Sequence, residues 1–136
     1  MSFFDANNMK DRKIIITEDG SSSIYIPELN EGYHSSHGAV NESNHIFIEH
    51  GLSQIESEEI TIFEMGFGTG LNAFLTLIFA LENNKKVNYY TIEKYPLSVE
   101  EIQSLNYGTL FPQHKDELLK LHNTRSGKPE NINANF

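Results

Sequence analysis

The chain contains no cysteine, which excludes disulfides and thiolate metal sites and fits a reducing compartment. Residues 14–84 hold no lysine or arginine but 11 of the 19 acidic residues. A polyanion such as RNA is repelled by that stretch, so any contact with nucleic acid falls to other sequence. Residues 85–136 are nearly balanced, with 7 basic and 6 acidic residues, within a net charge of −9. Long apolar runs are also missing. The longest, Leu71 to Leu81, is interrupted by Asn72 and is too short to span a bilayer. Met1-Ser2-Phe3-Phe4-Asp5 puts an acid where a secretory leader is basic. A soluble, cytoplasmic protein is therefore the default expectation. No repeat or low-complexity tract is present, and no metal-ligand set is complete. His34 and His37 stand three apart and His45 and His50 follow, but nothing like H-E-x-x-H joins them. The loop with His34 and His37 reads as surface or pocket lining, and no metal is expected.

What is there centres on Ile60-Thr-Ile-Phe-Glu64-Met-Gly66-Phe-Gly68-Thr-Gly70-Leu-Asn72, which runs on into an apolar stretch to Leu81. β-Branched and aromatic residues make a short strand, bounded by acids before and glycines after. Glycines at every second position permit backbone dihedrals closed to other residues and let a ligand lie against the main chain. The following helix, with Phe74, Leu77, Ile78 and Leu81 on one apolar face, points its free N–H groups at that turn. Such a strand–turn–helix leads into a nucleotide-type pocket. In the dinucleotide fingerprint G-x-G-x-x-G the third glycine would stand where Leu71 is, which argues against a nicotinamide-dependent oxidoreductase. Glu64-x-Gly66-x-Gly68-x-Gly70 instead resembles the acidic motif of class I methyltransferases, which bind S-adenosylmethionine. A second strand, Val87 to Ile92, ends in Glu93, 23 residues beyond Gly70, where an acid would grip ribose hydroxyls. A glycine turn that serves packing alone is the simpler alternative.

The chain of 136 residues makes one domain, small for a complete doubly wound sheet. Three segments are expected: a flexible N-terminus over 1–12, an extension over 13–59, and a Rossmann-like portion over 60–136. In the extension, Lys13–Thr17 and Ser23–Ile26 flank Asp19-Gly20 as a β-hairpin, which Pro27 ends. A helix starts near Asn41-Glu42-Ser43 and stops at Gly51. Beyond Glu93, Ser98 caps a short helix to Leu105, Asn106-Tyr107-Gly108 breaks it, and a further helix covers about 113–122. Ile132 to Phe136 reads as the start of a strand.

These residues resemble a family, the MnmC-like methyltransferases. The likeness lies in Gly66-Phe-Gly-Thr-Gly-Leu-Asn72 with Phe74-Leu-Thr-Leu77, in Tyr33-His-Ser-Ser-His-Gly38 with Glu42-Ser43 and Ile46-Phe47, and in Glu93-Lys-Tyr-Pro-Leu97. It extends over about residues 13–136. The resemblance implies an α/β, class I Rossmann-like fold with an N-terminal β-hairpin extension, and methylation of an aminomethyl amine on the tRNA wobble uridine. Glu64, Gly66, Gly68 and Gly70 would line the methionine end of S-adenosylmethionine, Glu93 would hold the ribose, and Tyr33 and Ser35 would lie near the pocket. The acidic stretch that assists the amine in that family has no counterpart here, so the catalytic residue is unassigned and the sheet is expected to be incomplete. A non-catalytic or truncated cofactor-binding paralogue is the runner-up reading. An unpaired sheet edge is an aggregation liability, so a second copy or further sequence is expected to cover it. Contact with tRNA is expected through segments mostly outside this chain.

Overall fold

A computed structural model describes residues 11–136. The N-terminal segment expected to be flexible over 1–12 lies outside these residues except at its end. The Arg12 guanidinium donates to the Tyr95 carbonyl at 2.9 Å and pairs with Glu101 at 2.8 Å.

The hairpin forms where its β-branched residues and Asp19-Gly20 put it. Strand β1 (Lys13–Ile16) pairs antiparallel with β2 (Ser22–Ile26), Ile14 opposite Ile24, and a short β3 (Glu31–Gly32) continues the sheet. The hairpin turn does more than reverse the chain. Helix α1 (Ala39–Ser43) starts two residues before the expected Asn41, with Gly38 at its N-cap and no side-chain cap from its own sequence. Its first free N–H groups are taken by the turn instead. Ala39 donates to Thr17 Oγ1, Val40 to Ser21 Oγ and Asn41 to Asp19 Oδ2. This supplies the partners that an isolated helix end lacks.

Burial pushes the Asp19 carboxyl up, but hydrogen bonds from Ser21 Oγ, the Asn41 and Ser21 N–H groups and Thr17 Oγ1 outweigh it and hold it down at about 2. Its folded value lies below the ordinary 3.8. The stabilisation is therefore full above about pH 4 and is lost as pH falls towards the folded value. Thermal melts through that acid window should show a steeper loss of Tm in the wild type than in Asp19→Asn. Parallel curves would remove Asp19 as the lock between hairpin and helix.

After α1 the chain widens into a π-helix (Asn44–Glu49) and a 3-10 turn (Leu52–Gln54), then forms β4 (Glu59–Met65), α2 (Leu71–Glu82) and β5 (Lys86–Ile92). Strands β4 and β5 are parallel, with Ile60 opposite Val87 and Ile62 opposite Tyr89. Parallel strands need a crossover, and α2 provides it. The fold is thus α/β, with two small sheets. Helix α2 is buried nearly all round rather than on one face; Ala73, Leu75, Phe79 and Ala80 are buried, and Leu81 is only partly so. The reason is that it lies between two apolar clusters. Phe79 and Ala80 pack with Ile60 and Val87 of the sheet, while Phe74, Leu77 and Ile78 pack with Tyr107, Leu118 and Leu121. Each large side chain buried in this way contributes about 1.5–3 kcal/mol.

Beyond β5, α3 (Val99–Ser104) starts at the expected Ser98 cap, which Glu101 completes as a full capping box. Asn106-Tyr107-Gly108 does not merely break the chain: Tyr107–Leu110 forms a further turn, α4, with Tyr107 fully buried. A 3-10 turn (Pro112–His114) leads into α5 (Lys115–Asn123). The expected strand at 132–136 is absent. Asn135 and Phe136 instead lie along β5, where Val87 N–H donates to the Asn135 carbonyl at 2.8 Å and Phe136 stacks near Tyr89. The sheet face turned away from α2 stays open. Phe63, Met65, Tyr90 and Ile92 are exposed there, Met65 at 84%. No described helix is long and apolar enough to cross a membrane.

Candidate functional site

The site grows from the C-terminal ends of β4 and β5. Gly66 N–H still donates to the Ile92 carbonyl at 2.7 Å, so the ladder runs to the edge of the turn. Then the backbone becomes left-handed at alternate positions, with φ of 91° at Gly66, 56° at Gly68 and 75° at Gly70. A side chain costs about 1–2 kcal/mol at each such position. Space differs along the turn. A Cβ on Gly66 would meet nothing within 4 Å, one on Gly68 would stand 3.2 Å from the Tyr33 ring, and one on Gly70 would come within 2.7 Å of the Phe67 ring. Gly70→Ala should therefore cost about 2–4 kcal/mol of stability, strain and overpacking together, and Gly66→Ala about 1–2 kcal/mol. Urea denaturation midpoints measure both. Equal losses would contradict the packing of Phe67 under Gly70.

Glu93 closes the turn from below. Its Oε2 accepts from Gly68 N–H at 2.8 Å and its Oε1 from Tyr95 N–H at 2.7 Å. The carboxylate that the sequence assigns to a ribose here holds the glycine turn itself, with lone pairs to spare on both oxygens. Thr69 is buried beneath the turn beside Tyr107. The Tyr107 hydroxyl donates to the Ser22 carbonyl at 2.7 Å, so the Thr69 hydroxyl, 3.1 Å from it, is the donor of the second bond. Burial pushes the Tyr107 phenol up to about 12. This one side chain ties the hairpin sheet to the glycine turn.

Above the turn lies an open cavity of about 410 Å³, lined among others by Tyr33, Gly66, Gly68 and Glu93. Four of the seven residues singled out in the sequence thus come together. The other three do not reach the cavity wall. Gly70 ends the turn and starts α2. The Ser35 N–H donates to Glu42 Oε2, and its hydroxyl accepts from His37 N–H. Glu64 stands behind Asn72, whose Nδ2 donates to Glu64 Oε1 at 3.3 Å, and accepts from Thr91 Oγ1 at 3.0 Å. Burial pushes the Glu64 carboxyl up, with the nearby Glu93 charge adding to it, against hydrogen bonds from Thr91, Tyr89 and Asn72.

Glu42, Ser43, Ile46, Phe47 and Asn72, given no place at the pocket by the sequence, also line it, together with His34 of the loop read as surface or pocket lining. Ile46 and Phe47 are half exposed on the rim. The His34 ring is held by Ser23 Oγ at 2.9 Å, and burial lowers its pKa, so it stays neutral at pH 7. Two buried polar atoms of the wall, Ser43 Oγ and Asn72 Oδ1, have no partner within the protein. Buried polar groups are normally satisfied, and these two are left without a bond inside the protein. An open backbone at Gly66 and an acid at the second strand end suit a nucleoside-type ligand. The shape does not require phosphate, and no described lysine or arginine lines the cavity.

No protein-family model matches the chain. It is 30% identical over 117 residues to the tRNA 5-methylaminomethyl-2-thiouridine biosynthesis bifunctional protein MnmC of Campylobacter jejuni subsp. doylei, a match covering 82% of this chain and 18% of that protein. It is 32% identical over 106 residues to the protein of the same name from Burkholderia multivorans, covering 70% of this chain and 16% of that one. Among solved structures it resembles MNMC2 from Aquifex aeolicus, with a TM-score of 0.59, 32% identity, and coverage of 67% of this chain and 32% of that one. The chain spans under a fifth of these curated relatives' length.

Proposed function

Because the chain is MnmC-like, related to a part of those bifunctional proteins, we propose that it carries the S-adenosylmethionine-binding portion of a class I, Rossmann-like methyltransferase. The observation that carries this reading is the left-handed glycine turn between parallel strands, held by Glu93 through Gly68 N–H. The cofactor fits the residues present. Ser43 Oγ and Asn72 Oδ1 offer unpaired polar atoms to it, and the Gly66 backbone is open to close approach. In this reading Gly66 and Gly68 would hold the methionine end, with Glu64 and Gly70 supporting the turn from behind. Glu93 would present its remaining lone pairs to the ribose. Tyr33 would flank the turn, with Ser35 fixing the loop that carries it. Bound there, the cofactor supplies an electrophilic methyl group to a neutral amine. The protein's contribution is orientation and exclusion of water, the latter by Tyr33, Ile46 and Phe47.

The acceptor in this proposal is the aminomethyl group of a tRNA wobble uridine; the relatives are named for biosynthesis of tRNA 5-methylaminomethyl-2-thiouridine. Residues 13–59 form the extension and 60–136 the cofactor portion. The acidic stretch 14–84 would turn away from tRNA, whose contacts would come mostly from sequence beyond this chain. A cytoplasmic location follows from that substrate. The open apolar sheet face would be covered by further sequence or by a second copy, since parallel sheets are normally covered on both faces. Calorimetric titration with S-adenosylhomocysteine and, separately, NADH tests the reading. Saturable binding of the first and none of the second is expected. Preference for NADH would replace the methyltransferase reading with an oxidoreductase one.

A further inference from the structure

We propose that His45, Glu49 and His50 form a binding site for a divalent transition metal of the zinc type. Five positions along an α-helix turn through about 140° beyond a full circle, which sets residues i and i+5 apart. Over Asn44–Glu49 the helix is wider, and His50 N–H donates to the His45 carbonyl at 3.2 Å, an i to i+5 bond. That turn brings the two imidazoles together, with centroids 4.3 Å apart. Glu49, four residues after His45, places Oε2 3.1 Å from His45 Nδ1. One ligand atom from each of the three residues lies within 4.8 Å of the other two. A tetrahedral zinc about 2.0–2.1 Å from its ligands asks for spacings of about 3.3 Å. All three side chains are exposed and free to close that difference by small rotations.

Hydrogen bonding sets the tautomers. His50 Nδ1 lies 2.8 Å from the His45 carbonyl oxygen, which can only accept, so Nδ1 carries the proton and Nε2 the lone pair. A ring N–H bonded to a backbone carbonyl is also the outer contact that orients metal-bound histidines. The Glu49 carboxyl either ligates directly or accepts from His45 Nδ1–H and frees Nε2 of that ring. Two imidazoles and a carboxylate favour zinc, cobalt, nickel or copper over magnesium or calcium. The other loop histidines do not take part, since His34 is held by Ser23 and His37 by Glu18. Among the described residues no other histidine, aspartate and glutamate side chains converge in this way.

The test is calorimetric titration of the whole chain with zinc chloride at neutral pH, with cobalt(II) visible absorption as a second readout. One ion per chain is expected, and none for magnesium. His45→Ala and His50→Ala should each weaken zinc by about tenfold or more, and Glu49→Gln by roughly 10–100-fold. His37→Ala should leave the affinity unchanged. Zinc should raise the Tm of the wild type but not of His50→Ala, which circular dichroism will show to be folded because the residue is exposed. Absence of saturable zinc binding, or equal affinity in the His45→Ala/His50→Ala double variant, overturns the proposal.

Discussion

Tyr107→Ala is expected to destabilise the chain by about 3–5 kcal/mol, the range for emptying a buried aromatic site. For a small domain that is a large share of total stability. The ring is fully buried against Phe74, Leu77 and Leu118 in the larger apolar cluster. Its hydroxyl adds the second part of the effect. Tyr107→Phe keeps the packing but leaves the Ser22 carbonyl and the Thr69 hydroxyl without that partner, at about 1–3 kcal/mol. Urea denaturation of the wild type and the two variants separates ring from hydroxyl. If the phenylalanine variant matches the wild type, Tyr107 is ordinary core and not the tie between the hairpin sheet and the glycine turn.

Glu93→Ala is expected to weaken S-adenosylhomocysteine binding by about 100-fold. Its carboxylate makes charge-assisted bonds to the Gly68 and Tyr95 N–H groups, each worth about 1.5–3 kcal/mol. Losing them releases a turn whose positive φ angles must be held in place before a ligand arrives. Glu93→Gln keeps one acceptor oxygen and should fall between the two. Calorimetry measures the affinities, and circular dichroism shows whether the fold persists. Wild-type affinity in the alanine variant would mean that the turn is rigid without its acid and that Glu93 does not face the ligand.

Local chemistry was legible in the sequence wherever one short stretch carries its own reason. Asp19-Gly20 between β-branched runs predicts the hairpin, the alternate glycines predict a turn closed to other residues, and Ser98 predicts the cap of α3. What was hidden depends on partners far along the chain. The start of α1 is fixed by Thr17, Asp19 and Ser21 rather than by its own residues. Asn106-Tyr107-Gly108 has the composition of a break, but burial of the Tyr107 ring and its bond to Ser22 hold it in a helical turn. The final residues look strand-like because Ile132 and Phe136 are apolar; packing against the core and against Tyr89 explains those residues without a ladder.

The site divides in the same way. Tyr33, Gly66, Gly68 and Glu93 meet at one cavity because the turn and the second strand end are adjacent by parallel pairing. Glu64 and Ser35 carry suggestive chemistry, but Asn72 and Glu42 engage them away from the wall. That Ser43 Oγ and Asn72 Oδ1 lack partners was not legible in the sequence, since an unpaired buried atom is a property of packing alone.

The most direct measurement is an amide ¹H–¹⁵N correlation spectrum of the labelled chain with and without S-adenosylhomocysteine. The account predicts the largest shifts at Gly66, Gly68, Thr69 and Glu93, with smaller ones at Tyr33 and Ser43. Unchanged glycine-turn amides, or shifts confined to the hairpin strands β1 and β2, would contradict it.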